Sequence, residues 1–299
     1  MTEGQTGFAA STIKVLPVVH RISLSDLFDS LHFGFDDFEA MPSHAIFLCV
    51  IYPLIGIFLI SMASGNSMLQ LAFPIAAGFA LVGPFAAVGL YELSRRRESG
   101  LDISPLRAFD PLRSPSFGAI AALGLLLMAI FFLWLAVAQA VYVANFGYAS
   151  PSSIPQFIDD VFATPKGWRM IIVGTSIGFL FAVVVLTISV VSFPLLLDRA
   201  VGVPVALATS IRVVASNPWA SALWGLIVAT LLVIGSIPFF LGLPVVMPVL
   251  GHATWHLYRK AVDASALPRA EPRAFETAHR FAADFPAALF STPYRKSNR

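Results

Sequence analysis

Charged residues are missing from four long stretches of this chain. No Asp, Glu, Lys or Arg occurs between Glu39 and Glu92, Arg113 and Asp159, Arg169 and Asp198, or Arg212 and Arg259. A helix rises about 1.5 Å per residue, so roughly 20 apolar residues cross a hydrocarbon core about 30 Å thick. Each stretch is long enough for one or two such helices. The pattern predicts an all-α bundle of membrane-spanning helices.

Polar breaks divide the four stretches into six predicted spans. Residues 64–67 interrupt the first stretch, and residues 145–155 form a predicted loop. The last stretch must fold back near residues 235–238 or 242–244, because a single helix of that length would be about twice the bilayer thickness. The predicted spans are residues 45–63, 69–90, 117–143, 170–197, 219–236 and 238–258. This domain, residues 44–258, lies between an N-terminal segment, residues 1–43, and a flexible tail, residues 259–299.

The basic residues predict the orientation of the six spans. With both termini in the cytoplasm, 17 of the 19 Lys and Arg residues lie on the cytoplasmic side, and only Lys166 and Arg169 lie outside. Cytoplasmic loops of membrane proteins carry an excess of Lys and Arg. The bias predicts a multi-pass protein of the inner (plasma) membrane with cytoplasmic termini. A seven-helix topology would break this bias.

One unit is repeated three times along the chain. Each unit has a connector, an opening proline, a helix, a turn and a return helix that contains another proline. The opening prolines are Pro42, Pro115 and Pro218, and the return helices contain Pro84, Pro194 and Pro248. Because proline removes a backbone hydrogen bond, these last three are predicted helix breaks. The pattern predicts three hairpins, although prolines are also common in membrane helices that form no repeat.

The first connector has a helical pattern of its own over residues 23–41. Its apolar positions recur every three or four residues, at Leu24, Leu27, Phe28, Leu31, Phe35 and Phe38. The opposite face is acidic, whereas a lipid-binding helix is rich in Lys and Arg, so we expect this amphipathic helix to dock on protein. The expected ion pairs join Asp36 and Asp37 to Arg95, Arg96 and Arg97.

Composition excludes a water-soluble protein and gives no sign of a nucleic-acid site. Hydrophobic residues make up 57% of the chain and charged residues 12%, with a net charge of +2. Cys49 is the single cysteine, so neither an intramolecular disulfide nor a metal site with four thiolate ligands can form. The expected partners are the lipid bilayer and, beyond it, another membrane protein or a second copy of the chain.

Three histidines form a candidate metal site. His252 and His256 are four residues apart and therefore share one face of the last helix, and His44 opens the first span on the same side of the membrane. Neutral imidazoles at this spacing can share a metal. Residues of this kind are also ordinary at a membrane interface, as Trp255 and Tyr258 beside them indicate. We predict no cofactor and keep a metal or haem site as the alternative.

Three segments carry a resemblance to a known family. They are FDDFEAMPSH, GPFAAVGLYELSRRRESG and GHATWHLYRKAV. The chain resembles, from about Ile22 to Val262, the bacterial integral membrane proteins catalogued as domain of unknown function 2189. That family has no established activity. The resemblance therefore implies a membrane location and a bacterial source, and it assigns no catalytic residue.

The remaining motifs favour a protein without enzymatic activity. No GxSxG, HExxH, phosphate loop or nucleotide fingerprint occurs, and no ionisable residue lies deep in a predicted span. Broken helices are typical of transporters, whereas small residues such as Gly174 and Gly178 also serve close packing. We predict either a small permease for an apolar or neutral solute or a structural partner of another membrane complex.

Overall fold

The protein is described by a computed structural model that covers residues 16–42, 69–148, 153–238 and 240–270, together with residues 54, 61 and 151. The helices are α1 (Leu24–Ala40), α2 (Ala72–Ala86), α3 (Val88–Glu98), α4 (Phe117–Phe146), α5 (Ile154–Ala163), α6 (Pro165–Ser189), α7 (Ser192–Asp198), α8 (Val203–Ser216), α9 (Pro218–Ser236) and α10 (Leu243–Ala261). There are also two 3₁₀ segments, Leu69–Leu71 and Pro105–Arg113, and two short strands, β1 (Val18–Val19) and β2 (Val262–Asp263). Most of the predicted first span, His44 and the tail beyond residue 270 lie outside the described residues.

Four helical stretches of the described chain are long and apolar enough to cross a membrane. They are Leu69–Glu98, Phe117–Phe146, Pro165–Asp198 and Pro218–Ser236. They contain four of the predicted spans. The predicted last span, residues 238–258, is helical over α10 but is not among these four, because the second half of α10 is polar. The protein is thus mostly helical, with several helices suited to a bilayer.

Several helices extend beyond the apolar stretches that predict them. The helix predicted to end at residue 90 continues through α3 to Glu98, and α6 begins at Pro165 rather than at residue 170. At this start the side chain of Thr164 accepts a hydrogen bond from the Gly167 N–H at 3.0 Å. The difference arises because hydropathy locates the hydrocarbon core, whereas a helix ends where its terminal N–H and C=O groups find other partners.

Helix α1 packs along α10, and its buried face overlaps only part of the predicted stripe: Leu27 is buried, and Leu31 and Phe38 pack against the core. Ser23 and Asp26 form a capping box at its start, where Ser23 accepts from the Asp26 N–H and Asp26 accepts from the Ser23 N–H. The buried residues of α1 are Leu27, Ser30, Gly34 and Asp37. The predicted apolar positions Leu24, Phe28 and Phe35 are instead exposed. The rotation of α1 follows from its polar contacts. Asp37 finds its hydrogen-bond partners on the face where Gly34 contacts α10, so this face is buried.

The two ends of the described chain are joined. Strands β1 and β2 pair in antiparallel fashion, and the His20 N–H donates to the Ala261 carbonyl at 2.9 Å. Asn217 links this corner to the start of α9, since its side chain donates to the His20 carbonyl and accepts from the Ile22 N–H. Next to this corner, α1, α3, α7 and α10 pack against one another at one end of the bundle. We call it the charged end, because it holds Asp37, Glu92, Asp198 and His252.

Candidate functional site

Five polar side chains from three helices meet inside the charged end. We call them the Asp37 cluster: Asp37 of α1, Ser94 and Arg97 of α3, and His252 and His256 of α10. Asp37 Oδ2 accepts hydrogen bonds from Ser94 Oγ at 2.5 Å and from His256 Nε2 at 2.9 Å, and Oδ1 accepts from Arg97. Asp37 is 2% exposed and His252 is 0% exposed. The centre of the cluster, Asp37, Ser94 and His252, is therefore buried, whereas Arg97 and His256 lie partly exposed at its edge.

Two glycines allow the three helices to approach closely enough for this cluster. A Cβ atom at Gly34 would lie 2.6 Å from the backbone nitrogen of Ala253, so α1 and α10 are in backbone contact there. A Cβ atom at Gly251 would lie 2.6 Å from the side chain of Leu90 on α3. Any larger side chain at either position would push the helices apart. The glycines therefore set the spacing at which Asp37 reaches both neighbouring helices.

Asp37 is held in its ionised form. Burial by itself raises the pKa of a carboxyl group, but hydrogen bonds from His256, Ser94 and Arg97 outweigh burial and lower the pKa of Asp37 to about 2. A buried carboxylate is costly unless its oxygens are hydrogen-bonded, and here both are. Asp37 is thus a fixed negative charge between α1, α3 and α10.

The hydrogen bonds of Ser94 assign the tautomer of His252. The Ser94 hydroxyl has one proton and donates it to the Asp37 carboxylate, which can only accept. Ser94 Oγ also lies 2.7 Å from His252 Nδ1, so Nδ1 carries a proton and donates it to Ser94. In neutral His252 the other nitrogen, Nε2, then has a free lone pair. Nε2 is buried.

The other predicted ion pairs of α1 differ from expectation. Arg95 binds Glu92 through two hydrogen bonds of 2.8 Å, and Arg96 Nη1 lies 3.1 Å from Asp110 Oδ2. Asp36 instead lies 3.8 Å from His32. Neighbouring positions on a helix point about 100° apart, so only one of three consecutive arginines can face α1. In this structure that residue is Arg97, which binds Asp37.

The predicted metal ligands are partly brought together. His252 and His256 both face Asp37, at 3.9 Å and 2.9 Å respectively. His44 lies outside the described residues. Within the described part of the chain, no group of three or more His, Cys, Asp or Glu side chains is arranged to hold a metal ion. The histidine nitrogens next to Asp37 and Ser94 are engaged in hydrogen bonds.

Interruptions of the helix occur near two of the three predicted helix breaks, Pro84 and Pro194, whereas α10 continues unbroken through Pro248. Side chains next to the three prolines approach one another. We call Pro84, Phe85, Phe193, Pro194, Met247 and Pro248 the proline junction. Helix α2 gives way to α3 at Ala87, three residues after Pro84, and α6 gives way to α7 at residues 190–191, three residues before Pro194. The rings of Phe85 and Phe193 are 6.2 Å apart. On the third side, a Cβ atom at Gly83 would lie 4.0 Å from the Met247 side chain.

Hydroxyl groups satisfy backbone carbonyls around the second break. Ser192 Oγ donates to the Ile188 carbonyl at 2.6 Å, and Ser210 Oγ donates to the Thr187 carbonyl at 2.8 Å. Such donors compensate for the helical hydrogen bonds that end there, as a break inside a membrane requires. The break is therefore a stable feature of the fold.

Sequence reasoning missed several residues of the charged end. Ser94 links Asp37 to His252, although a serine between leucine and arginines has no distinguishing pattern. Tyr258 donates to Asp198 at 2.8 Å, and Trp255 donates to Glu98 at 2.9 Å. Both aromatic residues suggest a membrane interface from sequence alone, yet both are fully buried. Spacing on one helix cannot indicate which distant carboxylate an aromatic side chain binds.

One known protein family matches part of the chain, and its description agrees with a membrane location. Residues 72–198 match the family described as predicted integral membrane protein (DUF2189). The matched segment runs from α2 to α7, so it covers nearly all of three of the four apolar stretches, together with Pro84 and Pro194. The predicted resemblance is confirmed over these residues. No curated protein and no solved structure matches the chain. The protein is an integral membrane protein, and the family model that it matches assigns no activity.

Proposed function

We propose that this protein is a small non-enzymatic permease for an uncharged solute. In this proposal it crosses the inner membrane six times as three hairpins, with both termini in the cytoplasm. The charged end then faces the cytoplasm, which agrees with the distribution of Lys and Arg.

The observation that carries the proposal is the convergence at the proline junction. Discontinuous helices that meet are typical of transporter substrate sites, because the interrupted backbone lines a path that continuous helices would close. Here two broken stretches meet at Phe85 and Phe193, and Met247 of a third proline-containing helix lies beside Gly83. Their apolar side chains suit a solute without charge.

Solute permeation in liposomes tests the proposal. The purified protein is reconstituted, and the entry of glycerol and of urea is followed by stopped-flow light scattering after an osmotic step. The proposal predicts faster entry of at least one solute than into liposomes that contain an unrelated membrane protein at equal density. Entry rates of both solutes that equal those of the control liposomes would contradict the proposal.

The proposed orientation can be tested separately. Two exposed positions lie on opposite sides in the six-span topology: Tyr148, after α4, and Ser99, after α3. Single cysteines at these positions are introduced into a Cys49→Ser background. A membrane-impermeant maleimide applied to intact cells should label Tyr148→Cys and leave Ser99→Cys unlabelled. Labelling of Ser99→Cys in sealed cells would show that the orientation is the reverse of the proposed one.

A structural role in a membrane complex is the second candidate. In three of the four apolar stretches, only 22%, 24% and 28% of the most apolar window is buried within the described chain. Such exposed faces suit lipid, another membrane protein or a second copy of this chain. This candidate predicts that the protein co-purifies with a partner in mild detergent and gives no solute permeation. Repeated isolation of the chain alone would contradict it.

A further inference from the structure

We propose that a cavity at the charged end binds a phosphate group carried by a small ligand or a lipid. The cavity has a volume of about 350 Å³ and is formed by α3, α7, α10 and the chain after β2. Its lining includes Arg95, Arg199, Arg259 and Arg269, and the carboxylates Glu98 and Asp198. This site is separate from the proline junction and does not depend on the permease proposal.

The carboxylates hold the arginines in place without neutralising all of them. Arg259 Nε binds Glu98 Oε1 at 3.0 Å, and Arg199 Nε binds Asp198 Oδ2 at 3.0 Å. Arg95 is fixed from outside the cavity by two hydrogen bonds to Glu92. Trp255 and Tyr258, themselves buried, hold Glu98 and Asp198 from the protein side. The guanidinium groups are thus preorganised around the cavity, which lowers the cost of binding an anion.

Arg269 provides the charge that the carboxylates do not balance. Its guanidinium has no ion pair or hydrogen bond to any side chain within residues 16–270 that the structure describes. Its backbone is nevertheless fixed. The segment pairs with Arg199 as an isolated β-bridge, and the Ala270 N–H donates to the Asp198 carbonyl at 3.0 Å. An exposed guanidinium whose backbone is held beside three other arginines attracts an anion that can accept several hydrogen bonds.

Phosphate fits this arrangement better than a carboxylate ligand does. Arginine forms paired hydrogen bonds to phosphate oxygens, and a phosphate presents enough oxygens for two or more guanidinium groups. Ligand pockets span about 300–1,000 Å³, so the cavity has room for a phosphate with a small attached group. A lipid headgroup and a soluble phosphomonoester share this chemistry. The experiment therefore has one arm for each.

The soluble arm measures binding of glycerol 3-phosphate and inorganic phosphate to the full chain in mild detergent by isothermal titration calorimetry. The lipid arm counts phosphatidylglycerol bound to the delipidated protein by native mass spectrometry, with phosphatidylcholine as the neutral comparison. The test variant is Arg269→Gln. The control is Arg212→Gln, which removes the same charge from an exposed position on α8.

The proposal predicts binding in at least one arm. It should fall tenfold or more in Arg269→Gln, because this variant removes a charged hydrogen-bond donor, and it should be unchanged in Arg212→Gln. Loss in the soluble arm identifies a phosphomonoester, and loss of phosphatidylglycerol alone identifies a lipid headgroup. Two results would overturn the proposal. One is that neither phosphate compound binds by calorimetry and phosphatidylglycerol binds no better than phosphatidylcholine. The other is equal binding by both variants.

Discussion

His256 Nε2 donates a hydrogen bond to Asp37 Oδ2 across 2.9 Å, although the two residues are 219 positions apart in the chain. The bond joins α1, the first described helix, to α10, the last. Ser94 and Arg97 add α3 to the same carboxylate. One buried negative charge therefore holds together three helices that enter the charged end from different parts of the sequence.

Replacing Asp37 by Asn should destabilise the folded protein. The change removes the charge that Arg97 and His256 face and leaves their donors opposite a neutral amide. We expect a loss on the order of 2 kcal/mol, below the range for fully buried pairs because Arg97 is partly exposed. Thermal unfolding in detergent measures the change. Asp36→Asn, at the neighbouring and more exposed position, is the control and should shift the unfolding temperature little.

The stability that Asp37 provides should depend on pH in a defined window. Its pKa is about 2 in the folded protein, below the ordinary value of 3.8. A lowered carboxyl pKa stabilises the folded state above the unfolded value, and this stabilisation is lost as the pH falls through the folded value. The difference in unfolding temperature between wild type and Asp37→Asn should be constant above about pH 5 and shrink between about pH 4 and pH 2. A difference that stays constant throughout would be inconsistent with an ionised Asp37.

Only part of the Asp37 cluster could be predicted from sequence. The acidic face of α1 and the arginines after Glu92 indicate ion pairing between these segments, but not which residues pair. The choice depends on helix rotation, which Gly34 and Gly251 determine through close contacts with Ala253 and Leu90. A hydrophobic stripe predicts the rotation of a helix only when burial of apolar side chains determines how the helix packs. On α1 the contacts of the buried Asp37 carboxylate determine the rotation as well, and Phe28 is left exposed.

Ser94→Ala should destabilise the protein although it removes only one oxygen atom. The variant leaves the buried Nδ1–H of His252 without its acceptor, and an unsatisfied buried donor costs about 1–3 kcal/mol. Ser99→Ala, at an exposed position of the turn after α3, should have almost no effect. Nitrogen NMR of labelled histidine tests the cause directly, because His252 should be the Nδ1–H tautomer. An Nε2–H signal for His252 would contradict the assignment.

We expect the purified protein to contain no stoichiometric metal or haem. Ser94 and Asp37 already engage one nitrogen of His252 and one of His256, and a structural zinc site needs about four ligands. Elemental analysis and an absorption spectrum measure this. One metal per chain, or a Soret band, that disappears in His252→Ala would instead support the histidine site predicted from His44, His252 and His256.

The helix breaks show what hydropathy can and cannot predict. Apolar length predicts the four stretches that contain residues 69–90, 117–143, 170–197 and 219–236. Pro84 and Pro194 indicate breaks in two of them. The position of the second break, at residues 190–191, follows from tertiary contacts: Ser192 and Ser210 supply the hydrogen bonds that end α6 there. The sequence of α6 alone cannot indicate that Ser210 of α8 binds one of its last carbonyl groups.

The central claim is that the proline junction forms the solute path, and permeation by proline variants tests it most directly. Pro84→Ala combined with Pro248→Ala restores the two backbone N–H groups that these prolines remove from their helices. Pro238→Ala, in the exposed turn between α9 and α10, is the control. Variants that elute and unfold like wild type are reconstituted at equal density. We expect glycerol or urea entry to fall to the protein-free rate in the double variant and to remain at the wild-type rate in Pro238→Ala. A folded double variant that conducts like wild type would contradict the proposed path.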